Sequence, residues 1–132
     1  MKLLDSTFII DLLNKDPEAV KKAEKEKCSK LFITDLSVYE IAVGINCLEK
    51  SKLTQSLDIF KDLIQNLNYI PLTQEASFKA AEVKANLIKK GRIIDDIDCL
   101  IAAIGIINKV NIIITRNIKH FSVIDKMKVE TY

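Results

Sequence analysis

Three aspartates, Asp95, Asp96 and Asp98, stand where a loop enters the most apolar stretch of the chain, G-R-I-I-D-D-I-D-C-L-I-A-A-I-G-I from Gly91 to Ile106. Gly91 reads as the stop of one helix, and Asp95 or Asp96 as the N-cap of the next. Beyond Asp98 no charge appears until Lys109, so the segment is expected to be buried. A carboxylate carried into such a segment must be neutralised, hydrogen-bonded or bound to a cation. The plainer role is to complement the helix dipole, worth about 0.3–1 kcal/mol per acid. That role suits Asp95 and Asp96, whereas for Asp98, deeper in the first turn, both readings stay open.

Two further acids belong to the same question. Asp5 follows a short apolar run directly. Glu40 lies in L-S-V-Y-E-I-A-V-G, where its companions three and four residues away are Leu36, Ser37, Val43 and Gly44, none of them basic. Such a glutamate is either at an exposed edge or aimed into a polar cavity. Several acids on one sheet edge with no lysine beside them repel one another, and need a divalent cation or shared protons. Oxygen donors without Cys or His favour Mg²⁺ or Mn²⁺ over zinc.

The elements that would position these acids alternate between strand and helix. Lys2–Leu4 reads as a strand, followed by a helix through Phe8–Leu13 capped by Asp5, Ser6 or Thr7. Pro17 opens a Lys/Glu-rich helix to about Cys28, with Val20 and Ala23 as a thin apolar seam and its charges as ordinary solvated pairs. Leu31–Thr34 is a second strand, with Asp35 the expected cap of the helix bearing Glu40. After a charged break at 49–52, a helix runs from Leu53 or Thr54 to Asn66. Tyr69–Leu72 reads as a strand. Thr73 then caps a helix to Lys90, whose core stripe is Ala76, Ala80, Val83, Leu87 and Ile88. The helix of Asp98 follows, to about Asn108. Asn111–Ile114 suits a central strand buried on both faces, Thr115–Phe121 a turn or short helix, and Lys128–Glu130 a last strand. Such alternation implies an α/β fold with a mainly parallel sheet of four to five strands, covering 1–132 as a single domain. In these sheets ligands gather outside the carboxyl ends of the strands, at a topological switch point.

Composition narrows the function classes. Three cysteines without C-x-x-C spacing and a single histidine, His120, argue against a zinc site and for reduced thiols in the cytoplasm. The net charge of +2 does not by itself announce nucleic-acid binding, although Arg92, Arg116, Lys119 and Lys89 or Lys90 flank the acidic segments. No uncharged run is long enough to span a membrane. A phosphoacceptor signalling domain would need paired acids after the first strand and an acid after the third, and Tyr69–Leu72 ends without one.

Four local words occur in order: L-L-D-S-T, T-D-L-S-V-Y-E-I-A-V-G, G-R-I-I-D-D-I-D-C-L-I-A-A and I-I-I-T-R-N-I-K-H-F. Together they resemble the PIN-domain ribonucleases, and most closely the VapC toxins of prokaryotic toxin–antitoxin pairs, over essentially the whole chain. The resemblance implies a three-layer α/β/α fold and a Mg²⁺-dependent endoribonuclease, with Mn²⁺ as a substitute. It matches Asp5, Glu40 and Asp98 to the family's metal-site carboxylates, Asp5 and Asp98 as direct ligands. Family members often carry a fourth acid near the end of the site, where this chain has Asn117 or His120. Asn117 offers a carbonyl oxygen without a charge, a departure that leaves the pattern of a one-metal site. The resemblance further implies an RNA substrate, a VapB-like antitoxin and a homodimer. Its alternatives are a PIN nuclease of RNA processing and a silent PIN-fold binding module. Around the acids, Thr115 and Ser37 are expected to hydrogen-bond near the site, His120 to make a turn or phosphate contact, and Tyr39 and Phe121 to sit in the core.

Overall fold

The computed structural model describes residues 1–132. Five short strands form one all-parallel sheet: β1 (Lys2–Leu4), β2 (Leu31–Thr34), β3 (Asn68–Ile70), β4 (Ile112–Ile114) and β5 (Lys128–Glu130). Their order is β3-β2-β1-β4-β5. The chain therefore winds outward from β1 in one direction, then returns to β1's other side with β4. The β1/β4 seam is the switch point, where the connecting helices diverge and leave a crevice at the strand ends.

Alternation along the strands divides the core in two. Leu3 and Ile113, paired in register, point to one face, under α5 (Gln74–Lys89), α6 (Asp96–Ile107) and α7 (Ile118–Phe121). Leu4 and Ile114, the next pair, point to the other face, under α1 (Ser6–Leu13), α2 (Pro17–Lys25), α3 (Asp35–Asn46) and α4 (Lys50–Gln65). The result is the expected three-layer α/β/α sandwich with its parallel sheet. β4 is buried as a central strand should be, with Ile113 and Ile114 wholly inaccessible.

Two glycines fix how α6 is delivered. Gly91 adopts φ +68°, and the Arg92 and Gly91 amides donate back to the carbonyls of Leu87 (2.9 Å) and Ile88 (2.9 Å). This paired closure ends α5 on a left-handed residue that glycine adopts without a steric penalty. At Gly105 a Cβ would lie 2.7 Å from the Val110 carbonyl oxygen and 3.3 Å from Leu3 Cδ2. Only a residue without a side chain lets α6 press this closely on the sheet.

Several local expectations shift. The cap of α3 is Thr34, whose hydroxyl accepts from the Ser37 amide at 3.2 Å, and Asp35 is the first helical residue. The presumed charged break after Glu49 is already the first turn of α4, because lysine and serine are tolerated there. Strand β3 starts at Asn68 and stops before Pro71. Ile88 is exposed, so the α5 stripe ends at Leu87. In α2, Ala19 is the wholly buried residue, and Val20 faces outward.

The charges of α2 are also more than a solvated face. Glu26, at its C-cap, is only 5% exposed. It receives Lys2 Nζ at 2.8 Å, Lys22 Nζ at 3.1 Å and the Ser29 hydroxyl at 2.6 Å, while both lysines also bind Glu130, at 2.8 and 2.6 Å. Two ammonium groups thus neutralise two carboxylates and tie α2 to β1 and to the edge strand β5.

Candidate active site

Asp5 follows β1 and occupies the N-cap position of α1, yet its side chain makes no cap hydrogen bond. Its carboxylate turns instead across the β1/β4 seam. Oδ2 accepts from Thr7 Oγ1 at 2.7 Å and from Thr115 Oγ1, just past β4, at 2.6 Å. Thr115 Oγ1 in turn accepts from the Asn117 amide at 2.8 Å. With 2% exposure, Asp5 is a buried, positioned carboxylate whose role exceeds capping.

The three acids at the start of α6 separate by position. Asp95 is the N-cap, and its Oδ1 accepts from the Ile97 amide at 2.9 Å. Asp96 is exposed and pairs with Lys84 at 2.8 Å. Asp98, two residues further into the turn, is 6% exposed and faces Asp5, Asn117 and His120. Burial pushes its carboxyl above the usual range; His120 opposes that shift, and the charges of Asp5 and Asp95 add to it. Its Oδ2 lies 2.5 Å from His120 Nδ1 and 3.3 Å from Asn117 Nδ2. A contact that short between a carboxylate oxygen and a ring nitrogen is a hydrogen bond that shares one proton between the two atoms.

Glu40 projects from α3 toward the same acids. Its carboxyl is raised by burial, opposed by the Ser6 hydroxyl, and raised again by the charges of Asp5, Asp98 and Asp95. Its Oε2 is buried and has no hydrogen-bond partner. Glu40 is half-buried and turned toward Asp5 and Asp98, so it does not sit at an exposed edge.

The structure therefore brings Asp5, Glu40, Asp98 and Asn117 to one place at the carboxyl ends of β1 and β4. No lysine or arginine pairs with any of the three acids. The donor set fits a hard divalent cation. All three acids offer carboxylate oxygens, and the buried Oε2 of Glu40 is an acceptor without a protein partner, free to face a cation. As they stand, no three acid, histidine or cysteine side chains are gathered tightly enough to enclose an ion. Asp98 is held by His120.

Other expectations are redirected. Arg116 does not offer a free charge to a phosphate: it binds Asp11 at 3.2 Å and Asp16 at 2.9 Å, and stacks over the Tyr132 ring. Lys90 pairs with Asp125, while Arg92, Lys89 and Lys119 stay exposed. Ser37 binds Thr34 and the Leu4 carbonyl, bracing the ends of β1 and β2 and not the acids themselves. Phe121 is in the core, but Tyr39 is 59% exposed, because the turn of α3 that aims Glu40 inward rotates its neighbour outward. Thr7 and Ser6 were readable in the sequence only as cap candidates. Their neighbourhood with Asp5 in D-S-T was the available signal.

An all-parallel five-stranded sandwich with a carboxylate-lined switch point defines a class, and comparison agrees. The PIN domain family matches residues 2–127, and the chain belongs to that family. It is 28% identical over 130 residues to a VapC ribonuclease of Pyrococcus furiosus, covering 96% of this chain and 84% of the relative. It is likewise 28% identical to ribonuclease VapC2 of Rickettsia felis, covering 98% and 96%. Among solved structures, the fold superposes on VapBC2 from Rickettsia felis bound to a DNA fragment from its promoter, with a TM-score of 0.85, 25% identity and coverage of 99% and 98%. It also superposes on DNA-bound VapBC from Salmonella typhimurium, with a TM-score of 0.85, 20% identity and coverage of 99% and 98%.

Proposed function

We propose that the protein is a divalent-cation-dependent endoribonuclease of the VapC type, the toxin of a toxin–antitoxin pair acting on RNA in the cytoplasm. One observation carries the proposal: three buried or half-buried carboxylates converge at the sheet's switch point with no lysine or arginine paired to any of them. Asp5 and Asp98 would hold the cation, with the Glu40 carboxylate beside them. When bound, Mg²⁺ supplies the charge that polarises a phosphoryl oxygen and makes a neighbouring water more acidic.

The chain's own groups do the rest. Thr7 and Thr115 fix the Asp5 carboxylate in one orientation, as a pre-organised site requires. Glu40, with its raised pKa, takes the proton of the attacking water at Oε2. Asn117 orients groups on Asp98 by its amide. Water attacks phosphorus in line with the departing 3′-oxygen, leaving 5′-phosphate and 3′-hydroxyl ends. Nothing in this chemistry requires a ribose 2′-hydroxyl; the preference for RNA follows from the ribonuclease relatives. Exposed Arg92, Lys89 and Lys119 would hold the substrate backbone. The solved VapBC complexes support a VapB-like antitoxin as partner, and the family resemblance supports a homodimer. No helix is long and apolar enough to cross a membrane.

The test is cleavage of a mixed RNA pool, with single-stranded DNA as control, by wild-type protein with Mg²⁺, with EDTA, and by Asp98→Asn. Cleavage should need the cation and fall at least about 10²-fold in the variant, the scale of losing one electrostatic contact to the transition state. Undiminished cleavage by Asp98→Asn would overturn the site.

A further inference from the structure

His120 is the single histidine in the sequence, and it stands on α7 against Asp98. Its Nδ1 lies 2.5 Å from Asp98 Oδ2, and Asn117 Nδ2 is 2.9 Å from the ring nitrogen and 3.3 Å from the carboxylate. An imidazole nitrogen and a carboxylate oxygen each present a lone pair, and at this separation they face one another only with positive charge between or beside them. A proton fills that role here. A cation seated on Asp98 would have His120 Nδ1 beside it as a nitrogen donor once the side chains open from their hydrogen-bond separation. The His120 side chain is partly open to solvent, whereas Asp98 is closed in by α6.

We propose that His120 Nδ1 is itself a ligand of the cation held by Asp98, so that the site carries one nitrogen among its oxygen donors. This rests on the reading of the site as a metal centre. His120 would ligate as the neutral tautomer that carries its hydrogen on Nε2 and leaves the Nδ1 lone pair free for the cation. The Asn117 amide lies beside both donor atoms and limits their rotation.

The consequence concerns which metal the site takes. An all-oxygen carboxylate site suits Mg²⁺, which accepts nitrogen poorly, whereas imidazole favours first-row transition ions in the order Mn²⁺ below Co²⁺ below Ni²⁺. The protein should therefore prefer Mn²⁺ or Co²⁺ to Mg²⁺ more strongly than three carboxylates alone would.

The experiment uses protein with no histidine tag, so that His120 is the only imidazole present, and Mn²⁺ as the probe. Loss of the free-ion electron paramagnetic resonance signal reports binding, and pulsed-echo modulation reports ¹⁴N directly bonded to the ion. The expected result is bound Mn²⁺ with directly coordinated ¹⁴N in the wild type and none in His120→Gln. In that variant, affinity for Mn²⁺ and Co²⁺ should fall about 10–100-fold, while affinity for Mg²⁺ changes by less than about threefold. Mn²⁺ bound by the wild type without coordinated ¹⁴N overturns the proposal and leaves the carboxylate metal site standing. Failure of the wild type to bind Mn²⁺ at all, or equal binding by Asp98→Asn, overturns the metal site together with the ligand. The wild-type spectrum is decisive even if the variant folds poorly.

Discussion

Glu26 and Asp98 are almost equally buried, at 5% and 6% exposure, yet their surroundings drive them in opposite directions. Burial works to raise both. At Glu26 the ammonium of Lys2, the hydroxyl of Ser29 and the ammonium of Lys22 outweigh it and bring the carboxyl down to about 2. At Asp98 only His120 opposes burial, and the neighbouring acids reinforce it, so the carboxyl stays raised. One cluster is a closed set of two lysines and two glutamates that joins α2, β1 and β5. The other gathers like charges at the end of the sheet. Burial alone therefore does not mark a functional carboxylate in this fold; the missing countercharge does. The stabilising network completes its own pairing, whereas the proposed cation site leaves carboxylate oxygens without a lysine or arginine.

The contrast breaks most sharply by removing one charge from each side. Glu26→Gln leaves two lysines facing a single glutamate and should cost about 2–3 kcal/mol of stability, less than a fully buried pair because both lysines touch solvent. RNA cleavage under folding conditions should stay unchanged, and urea unfolding measures the loss. The pH dependence follows from the sign of the shift. Glu26 binds its proton less readily when folded than when unfolded, so its contribution is complete above its ordinary value near 4.5 and fades as pH falls toward about 2. The stability gap between wild type and Glu26→Gln should close over that interval.

Gly105→Ala tests the delivery of Asp98 and not its charge. The new methyl would meet the Val110 carbonyl, which is backbone and cannot swing aside. A loss of about 1–3 kcal/mol is expected, the usual cost of overpacking, read as a lower melting temperature. An unchanged melting temperature would mean that α6 is seated less tightly than the distances indicate.

The smallest effect sharpens the comparison most. Glu40 has its pKa raised, so its ionised form opposes folding at neutral pH, and that opposition is relieved as pH falls toward its ordinary value. Glu40→Gln should leave stability unchanged or raise it by a few tenths of a kcal/mol, while cleavage is lost. A stability loss like that of Glu26→Gln would place Glu40 among the structural charges.

The parts of this organisation that are local in sequence were legible in it. Asp95 as a cap, Gly91 as a helix stop and the apolar run after Asp98 each depend on residues within a turn or two. The strand–helix alternation then leads to the sheet edge where Asp5, Glu40 and Asp98 meet. What stayed hidden depends on distant partners. Glu26 looks like any solvated helix acid until Lys2, 24 residues away, and Glu130, which is 128 residues from Lys2, arrive beside it. Arg116 reads as a phosphate-binding charge because Asp11 and Asp16 lie 100 or more residues upstream. His120 was visible as a residue, but its contact with Asp98 required the packing of α7 against α6. Neighbours in the chain gave the acids their identity, and tertiary packing decided which of the charges were already satisfied.

The central claim is that the carboxylates of Asp5, Glu40 and Asp98, which no lysine or arginine neutralises, bind a divalent cation. Calorimetric titration of wild type and Asp98→Asn with Mn²⁺, with Mg²⁺ in parallel, tests it most directly. The account predicts one binding event per chain in the wild type and its loss in the variant. No binding by the wild type, or equal binding by both proteins, would contradict it.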